Sequence, residues 1–443
     1  MKRLIICLCA LTILVSGCRT IPTQAPHENK PFNFVVMGDN RPANVFRPEQ
    51  PYIYYKVVDK AVTLNPVLIL NTGDLILGYD ALDKTKADEE FSDFEKVTAP
   101  IRAKNIPLYI TMGNHAGYTP DAREVFRERY ENKETETLYY SVDVNNSHFV
   151  ILCSELENEE AQITGKQLDW LKDDLEKASG KNIFVLLHRP LYPKIKHLKD
   201  SMNKYPEKRD ELADLLKQYN TDMVFTGHVH VYNYSIVDGL SQIIAGGSGA
   251  PMAGSLEEGG FYHFFNVIVN GDDVDYRLIP LQNEVVMAAQ MLKDGRVGGA
   301  ISMAKKAIET VSDHPMPHIA AAVGYNLNSQ VPEFNVEKVR LLIILGSELA
   351  VNFRLGEFCL ANDLLYLSDF FLAAALSIDS GSFNVLYHYA QLKEKQGKDA
   401  EALEMYKKAY PLTDNAYFRK EINEEIEKIE SKHLEEEKPA ENS

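Results

Sequence analysis

Seven side chains that could ligate metal ions or transfer protons follow short apolar runs in the sequence, and most stand beside a glycine. Carboxylate, amide and imidazole groups all bind divalent metal ions, and two ions in one centre lie about 3.5–4 Å apart. The set therefore suits a centre of two metal ions bridged by a carboxylate. Its members are Asp39, Asp74, Asn114, His115, His188, His228 and His230.

The apolar runs that precede these side chains are mostly β-branched or aromatic, as expected for buried strands. Polar groups that follow them fall at the carboxyl ends of strands, where open α/β sheets bind ligands. Helical stretches lie between the runs, and residues 31–281 are therefore predicted to form an α/β domain. The predicted strands are Phe34–Met37, Val67–Leu70, Leu108–Thr111, Phe149–Leu152, Ile183–Leu187, Met223–Thr226 and Ile243–Ala245.

Two further local patterns support this prediction. Leu168, Leu171 and Leu175 recur at helical spacing, which predicts an amphipathic helix. Asn270 and Gly271 separate two apolar runs near residue 280, and this pair is typical of a β-hairpin turn.

The order of these motifs resembles the calcineurin-like metallophosphoesterase family over about residues 32–280. An Asp motif at Asp39 is followed by Gly-Asp, Gly-Asn-His, a lone His and Gly-His-x-His. The resemblance implies two packed β-sheets flanked by helices, the metallophosphoesterase fold. It also implies two divalent or transition metal ions (Mn, Fe or Zn) and hydrolysis of a phosphate mono- or diester by attack of metal-bound hydroxide.

Site roles are carried over from the resemblance residue by residue. Asp39, Asp74 and His230 would hold the first metal ion. His115 would face the leaving-group oxygen as general acid. The second ion would share Asp74 with the first and would also take Asn114, His188 and His228.

Two positions depart from the family pattern. Arg41 stands where the family has a His ligand, and a guanidinium stays protonated and cannot ligate a metal ion. Arg41 either binds a substrate phosphate through two hydrogen bonds or forms a salt bridge within its own loop. Ala116 stands where the family has an acid that orients the preceding histidine, so His115 is expected to be a poorer proton donor.

The remaining histidines and cysteines are expected to be structural. His148 and His263 stand at strand starts. Cys153 and Cys359 lie in apolar surroundings, which favours two buried free thiols over a disulfide. His197 belongs to a lysine-rich loop that is expected to be solvated, although such a loop could also meet an anionic substrate.

Beyond Pro280 the strand patterns stop and Ala- and Leu-rich helical patterns continue. Small residues recur with a period of about 34 residues, which is typical of paired-helix repeats. The stretch from Leu386 to Asp414 resembles a tetratricopeptide repeat. We therefore expect an all-α repeat domain over 282–430 that could bind a protein partner, with an irregular helical bundle as the alternative. The acidic segment 431–443 is expected to be disordered.

The N-terminus predicts export. Lys2 and Arg3 precede the apolar run Leu4–Val15, which is too short to span a bilayer as a stable helix and is typical of a signal peptide over 1–17. The ending at Cys18 resembles the lipobox of bacterial lipoproteins, which implies a lipid on Cys18, a tether over 18–30 and a place on a membrane of the bacterial cell envelope, on its periplasmic or surface face. An ordinary secretory signal is the alternative.

The net charge of −17 argues against a nucleic-acid surface, which needs clustered Lys and Arg. It leaves room for a phosphorylated small molecule, lipid or protein as substrate, because metal ions can dominate the local charge. The alternative function is a membrane-anchored binding or assembly protein whose metal site is weakened by Arg41 and Ala116.

Overall fold

Two β-sheets form the N-terminal part of the protein in this computed structural model, which describes residues 30–79 and 83–436. The expected signal peptide, Cys18, the tether up to residue 29 and the tail after Glu436 lie outside the described residues. The strands are β1 (Phe32–Met37), β2 (Ile69–Asn71), β3 (Leu108–Ile110), β4 (Tyr140–Val144), β5 (Ser147–Ile151), β6 (Asn182–Leu186), β7 (Met223–Thr226), β8 (Tyr232–Val237), β9 (Leu240–Ala245), β10 (His263–Asn270) and β11 (Asp273–Pro280).

The first sheet has the order β11-β10-β1-β2-β3 and the second the order β4-β5-β6-β7-β9-β8. Strands β1, β2 and β3 are parallel, and Met37 pairs with Asn71, which pairs with Ile110. Strands β5, β6, β7 and β9 are also parallel. The loops that follow these strands therefore emerge together at one edge of each sheet.

Aromatic side chains fill the space between the sheets. The ring of Phe34 on β1 lies 5.0 Å from Phe149, 4.9 Å from Phe184 and 5.9 Å from Phe225, centre to centre, with the rings packed edge to face. Edge-to-face contacts of buried rings add to the free energy gained by burial. This core fixes the first sheet against the second and so sets the distance between their loops.

Helices cover the outer faces of both sheets. Leu168, Leu171 and Leu175 of α6 are buried against the second sheet, so the predicted amphipathic helix is confirmed. The predicted hairpin is also confirmed, with Asn270 paired to Asp273. The helices of this part are α1 (Tyr52–Thr63), α2 (Lys84–Val97), α3 (Ala99–Ala103), α4 (Asn114–Gly117), α5 (Pro120–Tyr130), α6 (Gly165–Lys177) and α7 (Pro206–Gln218).

From Glu284 onward the described chain is helical, and successive helices pack against one another around a core rich in Ala and Leu. Helix α16 continues to Glu436, so the prediction that the tail is disordered from Ser431 was wrong for residues 431–436. Burial of Ile422 and Ile429 anchors this helix on α14 and α15. The helices are α8 (Glu284–Lys293), α9 (Val297–Thr310), α10 (Pro315–Leu327), α11 (Val331–Leu345), α12 (Glu348–Ala361), α13 (Leu365–Ile378), α14 (Phe383–Lys395), α15 (Asp399–Ala409) and α16 (Ala416–Glu436).

The loop that follows β1 joins the sheets to the helical region. Arg47 binds both oxygens of Glu357 on α12 at 3.0 and 2.8 Å. Arg354 on the same helix binds both oxygens of Glu49 at 3.1 and 2.6 Å. Phe46 directly precedes Arg47 and packs its ring against α12 and α14. The helical region is thus held by charge-assisted hydrogen bonds and by apolar contact.

Cys153 and Cys359 are buried free thiols, as expected. Across residues 30–79 and 83–436, the helices are all too short or too polar to cross a membrane.

Candidate metal centre

The predicted site residues come together at the carboxyl edge of both sheets. Asp39, Asp74 and Asn114 follow β1, β2 and β3 of the first sheet. His188 follows β6 and His228 follows β7 of the second sheet. All these side chains are buried. The site therefore lies where the loops of the two sheets meet.

One group of ligand atoms belongs to Asp39, Asp74 and His230. Their ligand atoms all lie within 4.8 Å of one another. His230 Nε2 is 3.6 Å from Asp39 Oδ1. The three side chains are close enough to bind one ion.

A second group surrounds the amide of Asn114. Its Oδ1 lies 2.8 Å from His188 Nε2 and 2.7 Å from His228 Nδ1. His188 Nε2 is also 3.4 Å from Asp74 Oδ1. Asp74 thus lies between the two groups, where a bridging ligand is needed.

The donor and acceptor roles in the second group fit a cation. His188 Nδ1 lies 2.8 Å from the carbonyl of Thr72 and must donate its proton there. In its metal-binding form the imidazole carries a lone pair at Nε2, and this lone pair faces Asn114 Oδ1, which is also an acceptor. Two acceptors at 2.8 Å repel each other unless a positive charge lies beside them. The residues present therefore fit a metal ion.

His230 follows the same rule in the first group. Its Nδ1 lies 2.8 Å from the carbonyl of Pro251, so Nε2 presents a lone pair toward Asp39. Metal-binding histidines typically donate their other ring nitrogen to a carbonyl or carboxylate, which fixes the ring and its tautomer. Burial and nearby Arg41 lower the pKa of His230 to about 3, so its imidazole is neutral and ready to bind a cation.

The two carboxylates carry a charge that the site must balance. Burial raises the pKa of Asp39 to about 7, and the neighbouring Asp74 acts in the same direction. Burial also opposes the charged form of Asp74, but His188 and His115 outweigh it and hold the pKa of Asp74 below its usual range. Two buried carboxylates at one site keep a proton between them unless a cation replaces it.

Three of the candidate ligands have left-handed backbone, which non-glycine residues rarely adopt. The φ angles are 53° at Asp39, 53° at Asp74 and 68° at His228. The backbone N–H of His228 donates to Asp39 Oδ1 at 2.8 Å, and that of His115 donates to Asp74 Oδ1 at 3.1 Å. Such strain costs of order 1–3 kcal/mol per residue and persists where surrounding contacts enforce it, often at functional sites.

His115 lies beside the second carboxylate. Its Nε2 is 3.8 Å from Asp74 Oδ2, and its Nδ1 donates to the backbone carbonyl of Leu77. The carbonyl thus orients the ring where Ala116 lacks an acid. Burial lowers the pKa of His115 to about 4, against the attraction of Asp74 and with the help of Arg41. The ring is therefore neutral near pH 7 and presents a lone pair to the site.

Arg41 lies at the same edge and acts electrostatically on both carboxylates. Its Nη1 donates to the carbonyl of Pro42 at 2.9 Å, while its buried Nε has no hydrogen-bond partner in the described structure. Arg41 forms no salt bridge with a described carboxylate of its loop, the alternative considered from the sequence. A buried N–H without a partner is costly, so this group suits an anionic ligand.

Two exposed tyrosines beside the centre were not predicted. Tyr118 accepts a hydrogen bond from Asn114 Nδ2 at 2.6 Å. The rings of Tyr79 and Tyr118 stack with centres 4.6 Å apart, and both meet the edge of the His115 ring. Neither residue lies in a recognised motif, so the sequence carried no signal for this contact.

The lysine-rich loop also reaches the centre, against the expectation of a solvated loop. The ring of His197 lies 4.2 Å from that of His228, and its Nδ1 is 2.9 Å from Asp200 Oδ2. Asp200 Oδ2 is 3.6 Å from His228 Nε2. The carboxylate of Asp200 therefore lies beside the ring of His228, which is one of the candidate ligands.

The chain from 32 to 232 matches the family of calcineurin-like phosphoesterases. This part of the protein is similar to that family, and its two sheets flanked by helices are the metallophosphoesterase fold. The family resemblance drawn from the motifs is thus confirmed for the N-terminal part. The match does not extend to the helical region.

Individual relatives include phosphatases and a phosphodiesterase. Purple acid phosphatase 23 of Arabidopsis thaliana is 31% identical over 156 residues, which are 31% of this chain and 32% of the relative. The "Probable cyclic nucleotide phosphodiesterase" of Rhodococcus erythropolis is 25% identical over 46% of this chain and 69% of its own length. Yellow lupin purple acid phosphatase aligns structurally with a TM-score of 0.47 and 18% identity, covering 57% of this chain and 52% of that one. The chain covers only 25–34% of the length of the purple acid phosphatases 23, 15 and 22 of Arabidopsis.

Proposed function

We propose that this protein is a metal-dependent hydrolase of phosphate mono- or diesters. The observation that carries the proposal is the convergence of acceptor atoms around Asp74, with Asp39 and His230 on one side and Asn114 and His188 on the other. The match of residues 32–232 to the calcineurin-like phosphoesterases supports it.

Each group of ligands would hold one divalent metal ion, with Asp74 shared. When bound, the ions supply a water nucleophile at neutral pH and neutralise charge on the phosphoryl oxygens. The ring nitrogens of His188 and His230 are held by the backbone carbonyls of neighbouring loops. The carboxylate of Asp39 is held by the backbone N–H of His228. Positioning and charge stabilisation by these residues would carry most of the rate.

The residues around the centre suggest how a substrate binds. Arg41 has an unpartnered buried N–H and would bind a phosphoryl oxygen. To act as general acid, His115 would take up a proton at Nε2 and pass it to the leaving-group oxygen. Tyr79 and Tyr118 are 50% and 46% exposed and stack beside His115, so an aromatic leaving group would find a surface there.

Turnover of p-nitrophenyl phosphate and bis-p-nitrophenyl phosphate with Mn, Fe, Zn or Co tests the proposal. We expect metal-dependent hydrolysis of at least one of them, and loss of at least about a hundredfold in Asp74→Asn. Asp59→Asn, which changes an exposed acid on α1, is the matched control and should retain activity. Absence of turnover with every metal would refute the proposal.

The second candidate is a binding or assembly protein with a weakened metal site. Arg41 in place of a ligand and Ala116 in place of an acid favour it. Under this alternative, purified protein would hold less than one metal ion per chain at saturating supply. The helical region would then carry the function by binding a partner.

We further propose that the mature protein is anchored to a bacterial envelope membrane by a lipid on Cys18. The signal-like segment and lipobox-like ending support this, and the helical repeats would serve to bind a protein partner near that membrane. Expression of Cys18→Ser in a bacterium, followed by membrane fractionation, tests the anchor. Retention of this variant in the membrane pellet would contradict it.

A further inference from the structure

A cavity of about 550 Å³ opens among helices α12, α14, α15 and α16. Among the described residues that line it, none belongs to the candidate metal centre. The volume falls within the range of about 300–1,000 Å³ that is typical of ligand pockets. Its walls are formed by Glu357, Leu360, Ala361, Tyr387, His388, Gln391, Glu394, Lys395, Tyr406, Glu421 and Glu425.

Carboxylates dominate the charged groups of this cavity. The lining holds the four acids Glu357, Glu394, Glu421 and Glu425, the neutral imidazole of His388 and one cationic side chain, Lys395. Lys395 is already engaged, because its Nζ binds Asp363 Oδ1 at 2.8 Å. The wall therefore presents mostly hydrogen-bond acceptors with negative charge.

Basic side chains outside the lining neutralise only part of this negative charge. Arg47 binds Glu357 through both oxygens, and Lys428 binds Glu394 and Glu425 at 2.6 Å each. Glu421 forms hydrogen bonds with the hydroxyls of Tyr387 and Tyr417 and pairs with no cationic side chain among the described residues. Glu421 and Glu425 also lie one helical turn apart, an arrangement of like charges that destabilises a helix.

A buried imidazole points independently to a hydrogen-bond donor in the cavity. His388 is only 6% exposed, and its Nδ1 donates to the carbonyl of Asn384 at 2.8 Å. Its Nε2 must then be an acceptor, yet it has no hydrogen-bond partner among the described residues. Burial lowers the pKa of His388, so the ring remains neutral near pH 7 and keeps its lone pair.

Aromatic side chains complete the wall. Tyr387 and Tyr406 line the cavity, and the hydroxyl of Tyr406 lies 3.2 Å from Glu394 Oε2. Aromatic faces beside carboxylates favour ammonium and guanidinium groups, which combine positive charge with several N–H donors. Neutral and anionic ligands would find few donors here.

We propose that this cavity binds a lysine or arginine side chain on a basic segment of a partner protein. The cationic head meets Glu421, Glu425 and the Nε2 of His388, while its stem packs on Tyr387 and Tyr406. The volume leaves room for the residues that flank this side chain. The phosphoesterase proposal is not needed for this binding.

Two residues of the cavity wall also contact the loop that follows β1. Glu357 in its wall is the partner of Arg47, and the ring of His388 lies 4.3 Å from that of Phe46. Phe46 and Arg47 lie five and six positions after Arg41 in the sequence. A partner in the cavity would therefore bind beside side chains that hold the loop after β1.

A peptide-binding experiment on the full chain tests the proposal. The probe is a fluorescein-labelled peptide in which glycine alternates with arginine or lysine, and its binding is measured by fluorescence anisotropy. The cavity variant is Glu421→Gln with Glu425→Gln. The control is Glu424→Gln with Glu427→Gln, which removes equal charge from exposed positions of the same helix. We expect the dissociation constant to rise at least about tenfold in the cavity variant and less than about twofold in the control.

Each other outcome would overturn the proposal. No binding to wild type would show that the cavity does not take such a side chain. Equal weakening in the two variants would show that only diffuse negative charge attracts the peptide. Spermidine that binds as tightly as the peptide would identify a free polyamine as the ligand instead of a protein. Circular dichroism and thermal unfolding of both variants establish that each is folded, and His388→Gln provides a second cavity variant that should also weaken binding.

Discussion

The hydroxyl of Tyr118 fixes the orientation of the Asn114 side-chain amide. It accepts from Asn114 Nδ2 at 2.6 Å, which directs Oδ1 toward His188 and His228. An amide has two distinguishable ends, and only its oxygen can bind a cation. Tyr118 thus positions a ligand without binding the metal itself.

Replacing Tyr118 by Phe removes this acceptor and frees the amide to rotate. We expect the affinity for the second metal ion to fall about tenfold while the fold is kept, as is typical when a partner of a metal ligand is lost. Chelator competition measures this affinity. Tyr79→Phe is the matched control, because its hydroxyl is 3.5 Å from Tyr118 and does not contact Asn114; equal loss in both variants would contradict the role of Tyr118.

The candidate ligands could be found from the sequence because each one follows a buried strand and most adjoin a glycine. Tyr118 and Asp200 could not, because their contacts depend on the path of loops that carry no periodic pattern. The structure brings Arg41 near Asp39 and Asp74, at the edge where the sequence predicts the site. The partner of Arg41 could not be predicted from the sequence. The same local sequence allows a salt bridge within the loop or a guanidinium that is left to bind a ligand.

At the scale of elements, glycines let the loops after the strands cross at short distance. A Cβ atom on Gly113 would lie 2.2 Å from Asp74 Oδ1 and 2.3 Å from the Asp74 backbone nitrogen. Neither atom can move freely, because Asp74 is strained and buried. The loop after β3 therefore approaches the loop after β2 only with glycine at this position.

Gly113→Ala should displace Asp74 and destabilise the protein by about 2–4 kcal/mol, the range of severe steric changes in a packed interior. Urea unfolding and metal content measure the two effects. Gly298→Ala is the control, because nothing lies within 4 Å of its Cβ position on α9 and alanine favours a helix. Unchanged metal binding in Gly113→Ala would contradict the proposed close approach.

The buried strands could be predicted because continuous apolar runs of four or five residues mark them. Strands β4 and β8 were missed, and these are the two edge strands of the second sheet. Along β8, half-buried and exposed residues alternate, as expected for an edge strand with one side open to water. Such strands lack the apolar run that identified the others.

At the scale of the molecule, ion pairs between distant parts of the sequence fix the helical region on the sheets. Arg354 and Glu49 are 305 positions apart, and Arg47 and Glu357 are 310 apart. A buried chain of hydrogen bonds also links Asn40 beside Asp39 to Gln50, whose carbonyl accepts from His314 on the helical side. Pairings at such separation leave no periodic trace, so they could not be predicted.

The Glu49–Arg354 pair predicts a pH dependence of stability. Burial alone would raise the pKa of Glu49, but Arg354 lowers it from 4.5 to about 2. The pair therefore stabilises the fold fully above pH 4.5, and this contribution is lost as the pH falls toward 2. Glu49→Gln should be less stable than wild type by about 2–4 kcal/mol at pH 7, because it leaves Arg354 buried without its partner.

Urea unfolding at pH 7, 5, 4 and 3 measures this difference. This difference in the free energy of unfolding should narrow by about half or more at pH 3, because Glu49 of the unfolded chain takes up a proton there before Glu49 of the folded chain does. The exposed Glu309 gives a control, and Glu309→Gln should differ little from wild type at every pH. A difference between wild type and Glu49→Gln that stays constant with pH would contradict the assigned pairing.

The number of metal ions per chain tests the metal centre most directly. Wild-type protein saturated with Mn, Fe or Zn, freed of excess metal and analysed by mass spectrometry should hold about two ions, one for each ligand group. Asp74→Asn should hold less than one, because both groups use this carboxylate, whereas Asp59→Asn should match wild type. Fewer than one ion per chain in the wild type would contradict a two-metal centre and favour the binding-protein alternative.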